Sequence, residues 1–160
     1  MEESKLDNLK KRYSVLRKKE GLPSFDELSR DFQIERISEV ETDYLIREIR
    51  KLMADKFSSY LRFLEATLNP VNVPMFVFSI TKSIGIKEKE KLTELYKELA
   101  KIEVSLIGVD VDFDEKKEAE FVKESFKTWQ KTKKEISNFI SVVKKGWDNK
   151  IEKNNKGYFG

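Results

Sequence analysis

Apolar residues recur every three or four positions along most of this chain, which is the spacing of an amphipathic helix. The first series is made up of Leu6, Leu9, Tyr13 and Leu16. It predicts a helix over residues 3–20, with Gly21 placed where a left-handed residue would end it. Ser24 and Glu27 then form a capping-box pattern, which predicts a short second helix to about Phe32.

A broad apolar stripe predicts a long helix over residues 39–68. A second capping-box pattern, Ser38 to Glu41, precedes the stripe, and Asn69 with Pro70 follows it. At the helical rise per residue, such a helix would be roughly 45 Å long. Because the stripe is wide, it is typical of a helix that packs on more than one neighbour. Its members are Leu45, Ile46, Ile49, Leu52, Met53, Phe57, Tyr60, Leu61, Leu64 and Leu68.

A second long helix is predicted over residues 115–145, with Asp114 as its N-cap. Its apolar positions keep the three- and four-residue alternation of a coiled-coil seam, interrupted at Lys133. They are Val122, Phe126, Trp129, Ile136, Ile140, Val143 and Trp147. If this seam and the one on residues 6–16 are not both buried within one copy, we expect self-association, with Lys133 as the polar position that fixes its register.

Between the two long helices, another apolar series predicts a helix that ends at Gly108. Residues 109–113 then alternate Val, Asp, Val, Asp and Phe, which predicts a short extended segment with one buried face. Together these patterns predict an all-α protein, an elongated bundle of four to five helices in a single domain over residues 1–147. Residues 148–160 contain turn formers without periodicity, which predicts a flexible basic and aromatic tail.

The segment over residues 69–85 departs from the Lys- and Glu-rich pattern, and three interpretations of it remain open. The first is a short helix that begins near Pro74 and plugs the bundle. Its buried face would consist of Val73, Val77, Ile80 and Ile84. In the second interpretation, Met75, Phe76 and Phe78 stay exposed and bind a protein partner. The third is a strand, although the sequence offers no second long strand to pair with it.

Composition indicates a folded, intracellular protein. The chain has 160 residues, of which 38% are charged, and it contains eleven Phe, five Tyr and two Trp. That aromatic content is too high for a disordered polyampholyte. No apolar run approaches the ~20 residues of a membrane span, and the N-terminal stretch lacks the apolar core of a signal peptide. Cysteine is absent, which excludes disulfides, and we predict a cytoplasmic location.

Few residues of the kinds that catalysis uses are present. Histidine and cysteine are absent, so neither a Ser/His nor a Cys/His arrangement is available, and no glycine-rich phosphate loop is found. Asp110, Asp112 and Asp114 have the spacing of the first ligands of a calcium loop. However, Glu115 and Phe121 stand where that loop needs glycine and a bidentate glutamate. We therefore predict no catalysis, no metal and no cofactor.

Lysines are concentrated toward the C-terminal end, where residues 123–160 carry ten lysines and four acidic residues. Lysine arrays bind phosphates through counterion release, and aromatic side chains stack on unpaired bases. Arginine, which makes most specific base contacts, is absent from residues 123–160. Non-specific nucleic-acid binding is therefore the alternative function. The lysines on which it depends are Lys123, Lys127, Lys131, Lys134, Lys144 and Lys145.

The function that the sequence favours is non-catalytic association of a helical module with another protein or with a second copy of itself. The candidate contact residues are Met75, Phe76 and Phe78, together with Tyr158 and Phe159 near the end of the tail. Two aromatic side chains on a flexible tether are typical of a short linear motif that binds a groove on another protein. No membrane contact is predicted.

Overall fold

The computed structural model describes the backbone of residues 4–157 and the side chains of residues 4–148. Within that range the chain forms six α-helices and one 3-10 helix, with no strand. The prediction of an all-α bundle is therefore confirmed. The α-helices are α1 (Lys5–Glu20), α2 (Phe25–Phe32), α3 (Leu45–Leu68), α4 (Met75–Ser83), α5 (Ile86–Val111) and α6 (Glu115–Gly157), and the 3-10 helix covers Ile34–Glu39.

The chain divides into two compact units. Unit 1 comprises Met1–Ser59 and Lys101–Thr128, and unit 2 comprises Tyr60–Ala100 and Trp129–Gly160. Helices α3, α5 and α6 each contribute residues to both units. The single domain predicted over residues 1–147 stays a prediction.

In unit 1, the end of α1 and the start of α2 are capped as the sequence predicts. Gly21 has a left-handed φ of 69° and donates its backbone N–H to the carbonyl oxygen of Arg17 at 2.8 Å. At α2, the Ser24 hydroxyl accepts a hydrogen bond from the backbone N–H of Glu27, and the Glu27 carboxylate accepts one from the backbone N–H of Ser24 at 2.8 Å. The hydrogen bonds from the Ser24 hydroxyl and backbone lower the pKa of Glu27.

The N-terminal helices of unit 1 pack against one another and against α3. Tyr13 is buried and donates its hydroxyl to the carbonyl oxygen of Pro23 at 2.6 Å. Burial raises the pKa of the Tyr13 hydroxyl. Phe32 of α2 meets Phe57 of α3 edge to face, with ring centroids 5.7 Å apart. These contacts fix α2 on the first half of α3.

Helix α3 begins at Leu45, later than the predicted start near residue 39. Residues 34–39 form the 3-10 helix instead. Arg12 of α1 donates to the carbonyl oxygen of Thr42, and the Thr42 hydroxyl accepts from the backbone N–H of Tyr44 at 3.0 Å. Because these contacts hold the chain outside a helix, the capping-box pattern in this segment does not open α3.

The extended segment predicted at residues 109–113 is wrong, because α5 continues through Gly108 to Val111. A glycine inside a helix costs only about 1 kcal/mol relative to alanine, which a helix held by tertiary contacts tolerates. Such a contact is present here, since Arg50 of α3 binds the Asp110 carboxylate at 3.2 Å. Val111 is exposed, so the alternating residues do not form a buried face.

From Val122 onward, the buried positions of α6 follow a continuous three- and four-residue alternation. They are Val122, Ser125, Trp129, Thr132, Ile136, Phe139 and Val143. The polar positions of this seam are therefore Ser125 and the fully buried Thr132, and not Lys133, which is partly exposed. Leu9 and Tyr13, at the centre of the α1 seam, are also buried. Because the centres of both seams are buried within one chain, these positions give no reason to expect self-association.

Helix α6 runs to Gly157 and so continues beyond its predicted end at Lys145. Tyr158 and Phe159, the two aromatic residues predicted to bind a partner, lie outside the described residues. The flexibility predicted for residues 148–160 stays a prediction.

Candidate functional site

Helix α4 in unit 2 follows an irregular turn after α3. Asn72 in this turn has a left-handed φ of 54°, a conformation that asparagine adopts more readily than most residues. Pro74 is the N-cap, and its carbonyl oxygen accepts from the backbone N–H groups of Val77 and Phe78 at 3.0 and 3.2 Å. Proline suits this position because the start of a helix needs no backbone donor.

One face of α4 is buried within unit 2. Val77 and Ile80 on the helix are buried, and so is Ile84 immediately after it. The helical interpretation of this segment, with this face turned inward, is therefore confirmed. The Thr81 hydroxyl lies 3.1 Å from the carbonyl oxygens of both Thr67 and Val77, so a hydrogen bond to Thr67 can tie α4 to α3.

The outer side of α4 presents the three residues that the sequence marks as partner-binding. Met75, Phe76 and Phe78 are 79%, 57% and 39% exposed, and we call this set the α4 surface. Met75 and Phe78 lie one helical turn apart on the same side, whereas Phe76 lies at the other edge. Two of the interpretations left open by the sequence therefore apply to opposite faces of one helix. One face is buried in the protein, and the other leaves the three large apolar side chains exposed.

The polar groups next to the α4 surface are satisfied locally. Ser79 and Ser83 donate their hydroxyls to the carbonyl oxygens four residues earlier, at 3.0 and 2.8 Å. The Lys82 ammonium lies 4.5 Å from the centroid of the Phe78 ring, a cation–π contact. The α4 surface is consequently apolar with one cation at its edge.

The lysines predicted to bind nucleic acid occur on α6 in both units. Lys123 is partly buried. The exposed ones are Lys127, Lys131, Lys134, Lys144 and Lys145. Within unit 2, the spacing of Lys131, Lys134 and Lys145 places them on the side of α6 that faces away from the buried seam. Nothing in this arrangement distinguishes a phosphate site from a solvated helix face.

Unit 1 contains a buried charge cluster that the sequence does not reveal. The Arg50 guanidinium donates to both Glu118 carboxylate oxygens, at 2.7 and 3.3 Å, and to Asp110 at 3.2 Å. Arg47 lies 3.8 Å from the Glu118 carboxylate and stacks over the Phe113 ring at 4.4 Å. Because two cations face two anions, the cluster is a balanced ion-pair network, and we interpret its role as structural.

The three aspartates near the end of α5 have separate environments. Asp110 belongs to the charge cluster, and Asp112 is exposed. Asp114 caps α6, as predicted, by accepting from the backbone N–H groups of Lys116 and Lys117 at 2.9 and 3.1 Å. Among the described residues, no group of three or more acidic side chains is placed to hold a metal ion.

A second apolar stripe on α5 is exposed in unit 1 and was missed by the sequence interpretation. Val104, Ile107 and Val111 are all more than half exposed, and we call them the α5 stripe. Their spacing of three and four residues places them on one side of the helix. That spacing is visible in the sequence, but Gly108 and the alternation at residues 109–113 suggested that the helix had already ended.

Comparison of the chain with protein-family models, with curated proteins and with solved structures finds no match. In the part of the chain that the structure describes, none of the helices combines the length and the apolar character that crossing a membrane requires. Any functional inference therefore depends on the surfaces themselves.

Proposed function

We propose that this protein is a non-catalytic helical module that binds another protein through the α4 surface. The observation that supports this proposal is the exposure of Met75, Phe76 and Phe78 on a helix whose opposite face is buried. Clustered large apolar side chains in water favour association, because covering them removes apolar area from solvent. Methionine and phenylalanine are also enriched in the centres of protein interfaces. The cytoplasmic location inferred from composition belongs to the same proposal.

The geometry of α4 suggests how a partner binds. Met75 and Phe78, one turn apart, can enter an apolar groove in the way that anchor residues of a short helix do. Lys82 beside Phe78 places a cation at the edge of that contact. A partner with an apolar groove bordered by a carboxylate therefore fits this surface best.

Replacing Met75 and Phe76 with glutamate is expected to weaken this binding strongly while leaving the fold intact. Met75 is one of the two anchors, and an interface anchor typically contributes about 2 kcal/mol or more, so we expect the affinity to fall by at least about 30-fold. Both side chains are exposed, so the free energy of unfolding should change by no more than about 0.5 kcal/mol. The measurement is capture of partners from nuclease-treated native extract, followed by a binding isotherm with the captured protein.

A matched control is the pair Val104→Glu and Val111→Glu, which makes the same kind of change on the α5 stripe. The proposal predicts that this control retains the partner that the Met75→Glu/Phe76→Glu protein loses. If both variants retain every captured protein, the α4 surface is not the binding site. Sedimentation equilibrium of the wild-type protein tests whether the partner is a second copy. A strict monomer at high concentration would exclude self-association.

A second candidate function is non-specific nucleic-acid binding, favoured by the exposed lysines on α6 that face away from the seam. Replacing Lys131 and Lys134 with glutamate is expected to weaken binding of single-stranded nucleic acid and to reduce its salt dependence. For every phosphate that the variant no longer neutralises, the slope of log affinity against log salt should become shallower by about 0.7. A salt-titrated binding assay measures both the affinity and the slope.

The control for this alternative is the pair Lys87→Glu and Lys89→Glu, two exposed lysines on α5 of the same unit. Equal weakening by the two pairs would indicate a general effect of net charge and not a site on α6. Absence of binding at low salt removes the alternative altogether.

A further inference from the structure

Unit 2 contains an apolar groove between α5 and α6 that is separate from the α4 surface. The groove has a volume of about 410 Å³, within the range of concave ligand-binding sites in proteins. Its apolar lining consists of Leu92, Leu95, Phe139 and Val142. The first three are buried and form the floor, whereas Val142 is 42% exposed and lies at the opening.

Carboxylates dominate the rim of this groove. Glu88, Glu90 and Glu94 come from α5, and Glu135 comes from α6, opposed by Lys91. The lining residues alone carry four glutamates and one lysine, although the whole chain has a net charge of +3. Glu94 is paired with Lys97 at 2.8 Å, and the Glu88 carboxylate accepts from the backbone N–H of Gly85 at 3.1 Å, so Glu90 and Glu135 are the carboxylates that matter most for a ligand. These acidic side chains are not among any group placed to hold a metal ion. The cation that complements them is therefore better supplied by lysine or arginine side chains of a ligand.

The length of the groove favours a helical ligand. Residues 88–95 of α5 rise roughly 10 Å along the helix axis. The anchor positions i and i+7 of an amphipathic helix are separated by about the same distance, with i+3 or i+4 between them. A segment with apolar side chains at these positions would fill the floor, and basic residues beside them would meet the glutamate rim.

We propose that this groove binds a basic amphipathic helix of another protein, with apolar anchors on the floor and lysine or arginine side chains against the glutamates. Charge complementarity selects this occupant, because an acidic helix would place like charge beside Glu90 and Glu135, and a neutral helix would add no attraction to them. Glu90 and Glu135 border the groove from the two helices and are exposed, so they are the rim residues to test. The inference does not depend on the α4 surface, and either can fail without the other.

The probe is a synthetic peptide of about 14 residues, with leucine at positions i, i+3 and i+7, three lysines beside them and alanine elsewhere to favour a helix, labelled for fluorescence anisotropy. We expect saturable binding that weakens as salt is added, since exposed charges are screened. Glu90→Lys/Glu135→Lys should weaken it by at least about tenfold, because two attractive contacts become repulsive. Val142→Lys should weaken it similarly by placing a cation at the apolar opening.

The matched control is Glu120→Lys/Glu124→Lys, an exposed pair on α6 in unit 1 with the same change in net charge. Peptide chemistry provides two further controls, one with glutamate for lysine and one with serine for leucine. Neither control peptide should bind as tightly as the peptide that carries both leucine and lysine. NMR chemical-shift changes on peptide addition should concentrate in residues 88–95 and 135–142, and far-UV circular dichroism checks that each variant is folded.

Several results would overturn the proposal. Absence of peptide binding at low salt, equal weakening by the control pair, or equal binding of the acidic peptide each excludes a charge-selected site. Equal binding of the serine peptide excludes an apolar groove as its basis. If the wild-type protein self-associates and Glu90→Lys/Glu135→Lys reverses this, the occupant is a second copy and not a basic helix of another protein.

Discussion

Replacing Glu118 with alanine is expected to lower the free energy of unfolding by about 3–5 kcal/mol. Glu118 is fully buried in unit 1, where it accepts two hydrogen bonds from Arg50. Removing the carboxylate leaves a buried guanidinium opposite Asp110 alone, and that aspartate is largely exposed. The cost arises mainly from leaving the cation uncompensated in the interior. Urea unfolding followed by far-UV circular dichroism measures it.

Two variants separate this explanation from a general effect on α6. Glu120→Ala removes an exposed carboxylate from the same helix, and we expect a change within about 0.5 kcal/mol. Arg50→Met/Glu118→Leu removes the pair together and should recover much of the lost stability, because apolar replacements of buried ion pairs are often near neutral. If Glu118→Ala costs no more than Glu120→Ala, the cluster is hydrated and our description of it as buried is wrong.

The charge cluster also illustrates what the sequence could not provide. Arg50 and Glu118 are 68 residues apart in the chain. In the apolar spacing of α3 and α6, neither residue can be told apart from the charged residues that face solvent. Only the packing of α3 against α6 brings them together, and that packing depends on the whole of unit 1.

Features encoded by a few neighbouring residues were predicted correctly. The left-handed Gly21 cap, the Ser24–Glu27 capping box and the Asp114 cap each involve contacts within about four residues. Apolar spacing likewise identified the helices and the buried face of α4. These signals succeed because caps and amphipathic faces are local in sequence.

Helix boundaries that depend on distant contacts were predicted incorrectly. Arg12 of α1 binds the carbonyl oxygen of Thr42, and α3 begins only after this contact, at Leu45. The extension of α5 past Gly108 accompanies the contact of Asp110 with Arg50. For the candidate site, the sequence named Met75, Phe76 and Phe78 but left open whether they face solvent, since that depends on what packs behind the helix.

Replacing Thr132 with lysine is expected to lower the free energy of unfolding by at least about 3 kcal/mol. Thr132 is fully buried on the α6 seam, between Trp129 and Ile136. Its hydroxyl lies 3.4 Å from the carbonyl oxygen of Trp129, so threonine satisfies its own polar group within the helix. A lysine there would either bury an ammonium without a partner or push the seam apart. Thermal and urea unfolding measure the decrease in stability.

The informative comparison is with Lys133, which the sequence alone marked as the polar break. Lys133 is partly exposed, so Lys133→Ala should cost about 1 kcal/mol or less. The exchange Thr132→Lys/Lys133→Thr keeps the composition of the chain and should be nearly as unstable as Thr132→Lys alone. A larger destabilisation by Lys133→Ala than by Thr132→Lys would mean that position 133, and not position 132, lies on the buried seam. Every buried position of α6 would then have to be reassigned, because a helix turns by about 100° per residue and adjacent residues cannot share the centre of one face.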